Sequence, residues 1–148
     1  MKLSIIVALI FLMVFAPVAA FAKWITANQV TVSWDANDTS QLEEGERLMY
    51  RVYLSNTVTD PDKANPAIVG DTADTKMVLT LANKGRYMAG VQAVLQVLGD
   101  DGTTWEEVGV SPISWSDDPT VTKDGVVFGI RFYPAPKKPV GIFTPVNG

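Results

Sequence analysis

The run Tyr87-Met88-Ala89-Gly90-Val91-Gln92-Ala93-Val94-Leu95-Gln96 decides how the rest of the chain is read. Positions 87, 89, 91, 93 and 95 form one series, and positions 88, 90, 92, 94 and 96 form the other. Successive side chains of a strand point to opposite faces, so a period of two marks a half-buried strand. The same period recurs on both sides of this run. Val30, Val32 and Trp34 oppose Thr31 and Ser33; Tyr50, Val52 and Leu54 oppose Arg51, Tyr53 and Ser55; Met77, Leu79 and Leu81 oppose Lys76, Val78 and Thr80. The residues are β-branched or aromatic, the types that fit a pleated surface.

Turn chemistry separates these runs. Asp60-Pro61-Asp62 and Asn65-Pro66 mark corners after the Tyr50 strand, and Asn83-Lys84-Gly85 lies ahead of Tyr87. Gly99-Asp100-Asp101-Gly102 ends the longest run and predicts a hairpin return. No stretch of a dozen residues keeps a helical apolar stripe, and Gln41–Leu48 has room for one turn at most. Short strands between frequent turns predict an all-β sandwich of about seven strands in two sheets.

Composition narrows the function classes. The chain has 148 residues, 47% of them apolar and 19% charged, which suits one globular domain. Sixteen acids against twelve bases disfavour nucleic acid, whose phosphates call for a basic face. With neither histidine nor cysteine, Ser–His–Asp and Cys–His catalysis, thiolate metal sites and disulfides are excluded.

The first 22 residues read as an address. Met1-Lys2 opens positively, Leu3 to Phe15 is apolar except for Ser4, Pro17 breaks the run, and Ala20-Phe21-Ala22 offers a small-residue cleavage site. This is the pattern of a secretory signal peptide and predicts a secreted or periplasmic protein beginning at Lys23. Leu3 to Ala22 is also about long enough to span a bilayer, so an uncleaved anchor is the competing reading. Once the leader is removed, no membrane contact is expected.

Four pieces, in order, resemble a fibronectin type III domain over residues 23–117. Val30-Thr31-Val32-Ser33-Trp34 resembles the family's second strand with its core tryptophan, and Tyr50-Arg51-Val52-Tyr53 its third. Leu81 and Tyr87 resemble the pair flanking its E–F corner, and Ser111-Pro112-Ile113-Ser114-Trp115 its final strand. The resemblance implies a core containing Trp34, Tyr50, Val52, Leu81 and Tyr87, with a Tyr87 hydroxyl bond to the backbone. Lys23–Ala27 is short for a first strand, and Thr103–Val110 lengthens the final hairpin.

Residues 118–148 are expected to form a hairpin and a proline-rich tail. Thr120–Thr122, Lys123-Asp124-Gly125 and Val126–Tyr133 read as strand, turn and strand. Phe128, Ile130 and Phe132 share a face that needs cover, so this segment is also a candidate extra strand on the sandwich. Pro134, Pro136, Pro139 and Pro145 then favour extended geometry. Ala135–Ile142 resembles the linker and first strand that open a further domain of the same family.

The resemblance places the B–C and F–G loops at one end. Asp35, Asp38, Glu43, Glu44 and Glu46 lie in or beside the first, and Asp100, Asp101, Glu106 and Glu107 in or beside the second, nine of the sixteen acids. A solvated pole and a dock for a basic partner both fit this cluster. Calcium fits less well, because Asp35-Ala36-Asn37-Asp38 leaves the D-x-D-x-D-G spacing after two ligands. Trp105 sits among polar neighbours, and its ring is a candidate protein or sugar contact. Trp24 and Trp115 read as packing residues.

The tail holds Lys123, Arg131, Lys137 and Lys138 against Asp124, so an acidic head and a basic tail are candidates for self-assembly. The expected function is a non-enzymatic extracellular module that binds a protein partner through Trp105, Asp100, Asp101, Glu43, Glu44 and Glu46. The alternative is a carbohydrate-binding accessory module. A carboxylate-pair hydrolase is a third reading. No cofactor or metal is expected.

Overall fold

The computed structural model describes residues 23–135. The leader and the tail from residue 136 onward lie outside the described residues. Nine strands alternate with short turns: β1 (Lys23–Thr26), β2 (Gln29–Ser33), β3 (Glu46–Asn56), β4 (Ala67–Thr72), β5 (Lys76–Thr80), β6 (Gly85–Leu98), β7 (Trp105–Val110), β8 (Ser114–Trp115) and β9 (Phe128–Phe132). Seven form one mixed sheet in the order β1-β9-β6-β3-β4, with β7 and β8 also on β6; β2 and β5 form the second sheet. The result is an all-β sandwich, as the period of two predicts.

The core lies between the sheets. Val32 and Leu79 of the small sheet meet Val52, Ala89 and Ile130 of the large one, with Leu81 at the corner. Val52, Leu79 and Ile130 are fully buried. Each such aliphatic side chain contributes about 1.5–3 kcal/mol through lost apolar contact with water. Tyr50 and Leu81 are buried, whereas Trp34 and Tyr87 are half-buried and pack against the cluster. The Tyr87 hydroxyl donates to Asn83 O at 3.0 Å, tying the turn between β5 and β6 to the sheet.

The other face of the large sheet is not the solvent face that simple alternation predicts. Tyr53 and Ser55 are buried there. The loop after β3 folds back over Ser55, whose Oγ donates to Asp60 O at 2.8 Å, while Tyr53 Oη is satisfied within the sheet by Gln92 Oε1 of β6 at 2.7 Å. A loop that covers the outer layer removes the hydrophobic alternation that a one-sided sheet shows.

Strand β6 is the spine. Along one edge it pairs with β3 over eleven residues, Glu46 opposite Val97 through Asn56 opposite Tyr87. Its other edge is met piecewise by the returning chain. β7 covers Val94–Leu98, β8 covers Gly90 and Val91, and β9 covers Gly85–Tyr87. Between the pieces, Ser111 N and Ser116 N donate to Ala93 O and Ala89 O. The chain then leaves the sheet for residues 117–127 and re-enters where Phe128 N donates to Ser116 O at 2.9 Å.

This path corrects the expected C-terminal hairpin and final strand, and it bears out the candidate extra strand over Phe128–Phe132. Thr120–Thr122 is turn rather than strand, followed by a 3-10 turn at Lys123–Gly125, so the C-terminal hairpin does not form. Its second half becomes β9, which inserts between β6 and β1 and buries Ile130 completely. The segment resembling a final strand, Ser111–Trp115, keeps only two strand residues, and β9 follows it in the sheet. The physical reason is cover: Phe128, Ile130 and Phe132 lose contact with water by joining the sheet, which an isolated hairpin would not give them.

Candidate functional site

The two acidic loops lie at one end of the sandwich, with some of their side chains engaged and others exposed. Leu98 N donates to Gly45 O at 2.8 Å, which brings the start of β3 and the end of β6 together. Gly45 has φ +85°, in the left-handed region that favours glycine. Glu46 Oε2 accepts the Glu43 amide at 2.9 Å. Asp101 closes the hairpin turn: its carboxylate accepts the amides of Thr103 and Thr104, each at 2.8 Å, and the Thr104 hydroxyl. These bonds, the Thr104 hydroxyl foremost, hold its pKa well below the usual carboxylate range.

Trp105 begins β7 opposite Leu98. It is half-buried, and the Arg47 guanidinium lies 4.0 Å above its ring centroid. Arg47 is held there by Gln96, whose Oε1 accepts from Nε at 2.8 Å. One ring face is therefore occupied by a cation and closed to a sugar. Glu107 is also engaged, in a network with Arg51 and Asp71 at 2.9 Å each. Asp100, Glu43, Glu44 and Glu106 remain exposed and give the pole its negative field. Among the described residues no three acidic side chains converge as a metal site would require.

A second feature lies between the sheets, and the sequence did not announce it. A cleft of about 1050 Å³ runs between β2 and the β6–β8 side of the large sheet. Val32, Trp34 and Tyr50 line its floor with Ala89, Val91 and Ala93, while Ser111, Ser114 and the excursion Thr120–Val126 form its far wall. The space has a simple origin. The small sheet has two strands, the inner residues of β6 here include two alanines, and among the described residues β1 pairs with Phe128–Arg131 of β9, covering only the other half.

The excursion that walls the cleft is internally bonded. Asp118 Oδ1 accepts the Thr120 amide at 2.9 Å and the Thr120 hydroxyl at 2.6 Å, which lowers its pKa. Lys63 Nζ pairs with Asp117 at 2.7 Å and anchors the excursion to the loop after β3.

The four tryptophans separate along this line. Trp24, Trp105 and Trp115 each have a cation over the ring: Arg86 at 5.4 Å, Arg47 at 4.0 Å and Lys63 at 5.6 Å. Trp34 instead meets Tyr50 edge-on, with ring centroids 5.4 Å apart. Its Nε1–H is buried and has no acceptor among the described residues. An orphan donor of this kind costs roughly 1–3 kcal/mol. Tyr50 Oη is by contrast satisfied, accepting the Asn37 amide at 2.8 Å.

The backbone of β2 adds to this. Leu81 N donates to Asn28 O and Trp34 N to Thr75 O, so Gln29, Thr31 and Ser33 are the non-hydrogen-bonded positions of the β2–β5 ladder. Their N–H and C=O groups point away from β5, along the side where the cleft lies. Among the described residues they meet no strand.

No protein-family model matches the chain, and no curated protein matches its sequence. The residues themselves therefore carry the functional argument. Trp34 was legible as a core residue from the alternation around it. The cleft beside it was not, because it follows from strand β1 pairing with β9 instead of β2.

Proposed function

We propose that this chain is a secreted or periplasmic, non-enzymatic interaction module of fibronectin type III kind. Its contact surface is the open edge of β2 with the adjoining cleft, and its ligand is an extended protein segment carrying basic residues. The single observation that carries this reading is the buried Trp34 Nε1–H, which has no partner among the described residues, beside β2 backbone groups that meet no described strand. An added strand supplies what both lack: backbone carbonyls and amides along the edge, and alternate side chains for the cleft. The acidic pole next to the cleft selects positive charge and speeds encounter. The Tyr87–Asn83 bond and the Trp34–Tyr50 packing favour the family assignment.

The carbohydrate reading is less favoured, because the Trp105 face is taken by Arg47. Peptide selection from a random library tests the proposal. Selected peptides should be extended, basic and apolar in alternation, and should shift the NMR resonances of Trp34 Nε1–H and of the Thr31 and Ser33 amides. Binders that leave those three resonances unmoved, or a library that yields no binder, overturn it.

A further inference from the structure

We propose that the β2 edge receives residues Val140–Thr144 of a second copy of this chain, laid antiparallel to β2. The inference rests on the strand-accepting reading above and names its occupant. The sequence Pro139-Val140-Gly141-Ile142-Phe143-Thr144-Pro145 places five residues with free amides between two prolines. Proline cannot donate to a ladder, so it bounds the strand at both ends. Strand β2 is also five residues long. Val140, Ile142 and Thr144 share one face of an extended chain, and all three are β-branched, which suits pairing. With that face inward, Val140 and Ile142 enter the apolar cleft beside Val32 and Trp34, and a backbone carbonyl comes within reach of the orphan Trp34 Nε1–H.

Charge order sets the direction. Lys137 and Lys138 immediately precede the segment, and Asp35 and Asp38 follow Trp34 at the end of β2. Only the antiparallel arrangement sets these lysines beside those acids. Direction in turn sets which copy donates. Strand β9 ends at Phe132 opposite Gly85, with Arg131 beside Thr26, close to where β2 begins. A chain leaving there meets the Gln29 end of β2 first and would lie parallel to it in its own molecule. Pro134, Pro136 and Pro139 favour extended polyproline geometry, which opposes the reversal that an antiparallel return onto the same molecule's β2 would need. The antiparallel donor is therefore the tail of another molecule. The edge also lacks the usual guards against pairing: the outward side chains Gln29, Thr31 and Ser33 are uncharged, and β2 contains no proline.

Sedimentation velocity and residue-resolved amide exchange of the purified protein, with and without Ile142→Pro, test the proposal. The substitution lies outside the described residues and removes one donor from the middle of the segment. The unaltered protein should associate reversibly with concentration, and its Thr31 and Ser33 amides should exchange at least tenfold more slowly when associated. Ile142→Pro should stay monomeric over the same range with both amides fast, and Lys137→Glu with Lys138→Glu should weaken association at least tenfold at low salt. A monomer at every concentration overturns the proposal, whether the two amides are fast or are protected by the molecule's own tail. Equal association of Ile142→Pro also overturns it. If self-association fails while library peptides still shift Trp34 Nε1–H, self-donation falls and the strand-accepting function stands.

Discussion

The half of the sandwich near Tyr87 and the half near Trp34 are built from the same strands and end differently. Near Tyr87, β9 inserts beside β6 and β1 runs parallel to it, so Ile130 is fully buried and Trp24 lies against Gly129. Near Trp34 no described strand occupies the corresponding place beside β2, and a cleft opens over Ala89, Val91 and Ala93. The difference teaches where this fold keeps its stability and where it keeps an unused bonding edge. Apolar burial extends through both halves, Val32 and Tyr50 included, whereas the donors without partners among the described residues lie in the open one.

Mutations should respect that division. Ile130→Ala cuts a fully buried side chain in the closed half and should lower unfolding free energy by about 2–5 kcal/mol in denaturant titration. Gly129→Ala should cost about 1–3 kcal/mol by overpacking, because a Cβ there would lie 2.6 Å from Trp24 Cζ3. Tyr87→Phe removes one hydroxyl bond at the β5–β6 turn and should cost about 1 kcal/mol. In the open half, Trp34→Phe keeps most of the ring and deletes a donor with no acceptor, so its cost should stay under about 1 kcal/mol. A cost for Trp34→Phe as large as that for Ile130→Ala would erase the distinction between the halves.

The smallest expected effect is local and depends on pH. Asp101 has a folded pKa below its unfolded one, so its turn is fully bonded above about pH 4, the unfolded carboxylate value. That contribution is lost as pH falls through the lower folded value. NMR should show the Thr103 and Thr104 amides moving together at acid pH, while Trp34 Nε1–H stays in place. Coincident movement of all three would link the hairpin turn to the cleft.

Much of the closed half was legible in the sequence. Alternation around Leu79 and Leu81 placed them on one face, and both are buried, and Phe128, Ile130 and Phe132 announced an apolar face in need of cover. The piecewise return along β6 was not legible. Ser111 and Ser116 continue the pairing through single backbone bonds that leave no periodic trace, and the excursion at 117–127 reads locally as strand and turn. Alternation put Tyr53 and Ser55 opposite the core face and did not announce their burial, because the position of the loop that bonds Ser55 is encoded by no local pattern. At the loop pole the ends of β3 and β6 that carry the acidic loops are joined by the Leu98–Gly45 bond. The engagement of Trp105 by Arg47 was hidden, since it depends on the β3–β6 register. The cleft was hidden for the same kind of reason: it is set by which strand β1 chooses as its neighbour.

Amide exchange along β2 in the Ile142→Pro protein tests the account most directly, because four consecutive residues report on both edges of one strand. The account predicts slow exchange at Val30 and Val32, which donate towards β5, and fast exchange at Thr31 and Ser33, which face the open side. Thr31 and Ser33 as slow as their neighbours in that monomer would contradict it, for the edge would already be covered within a single molecule.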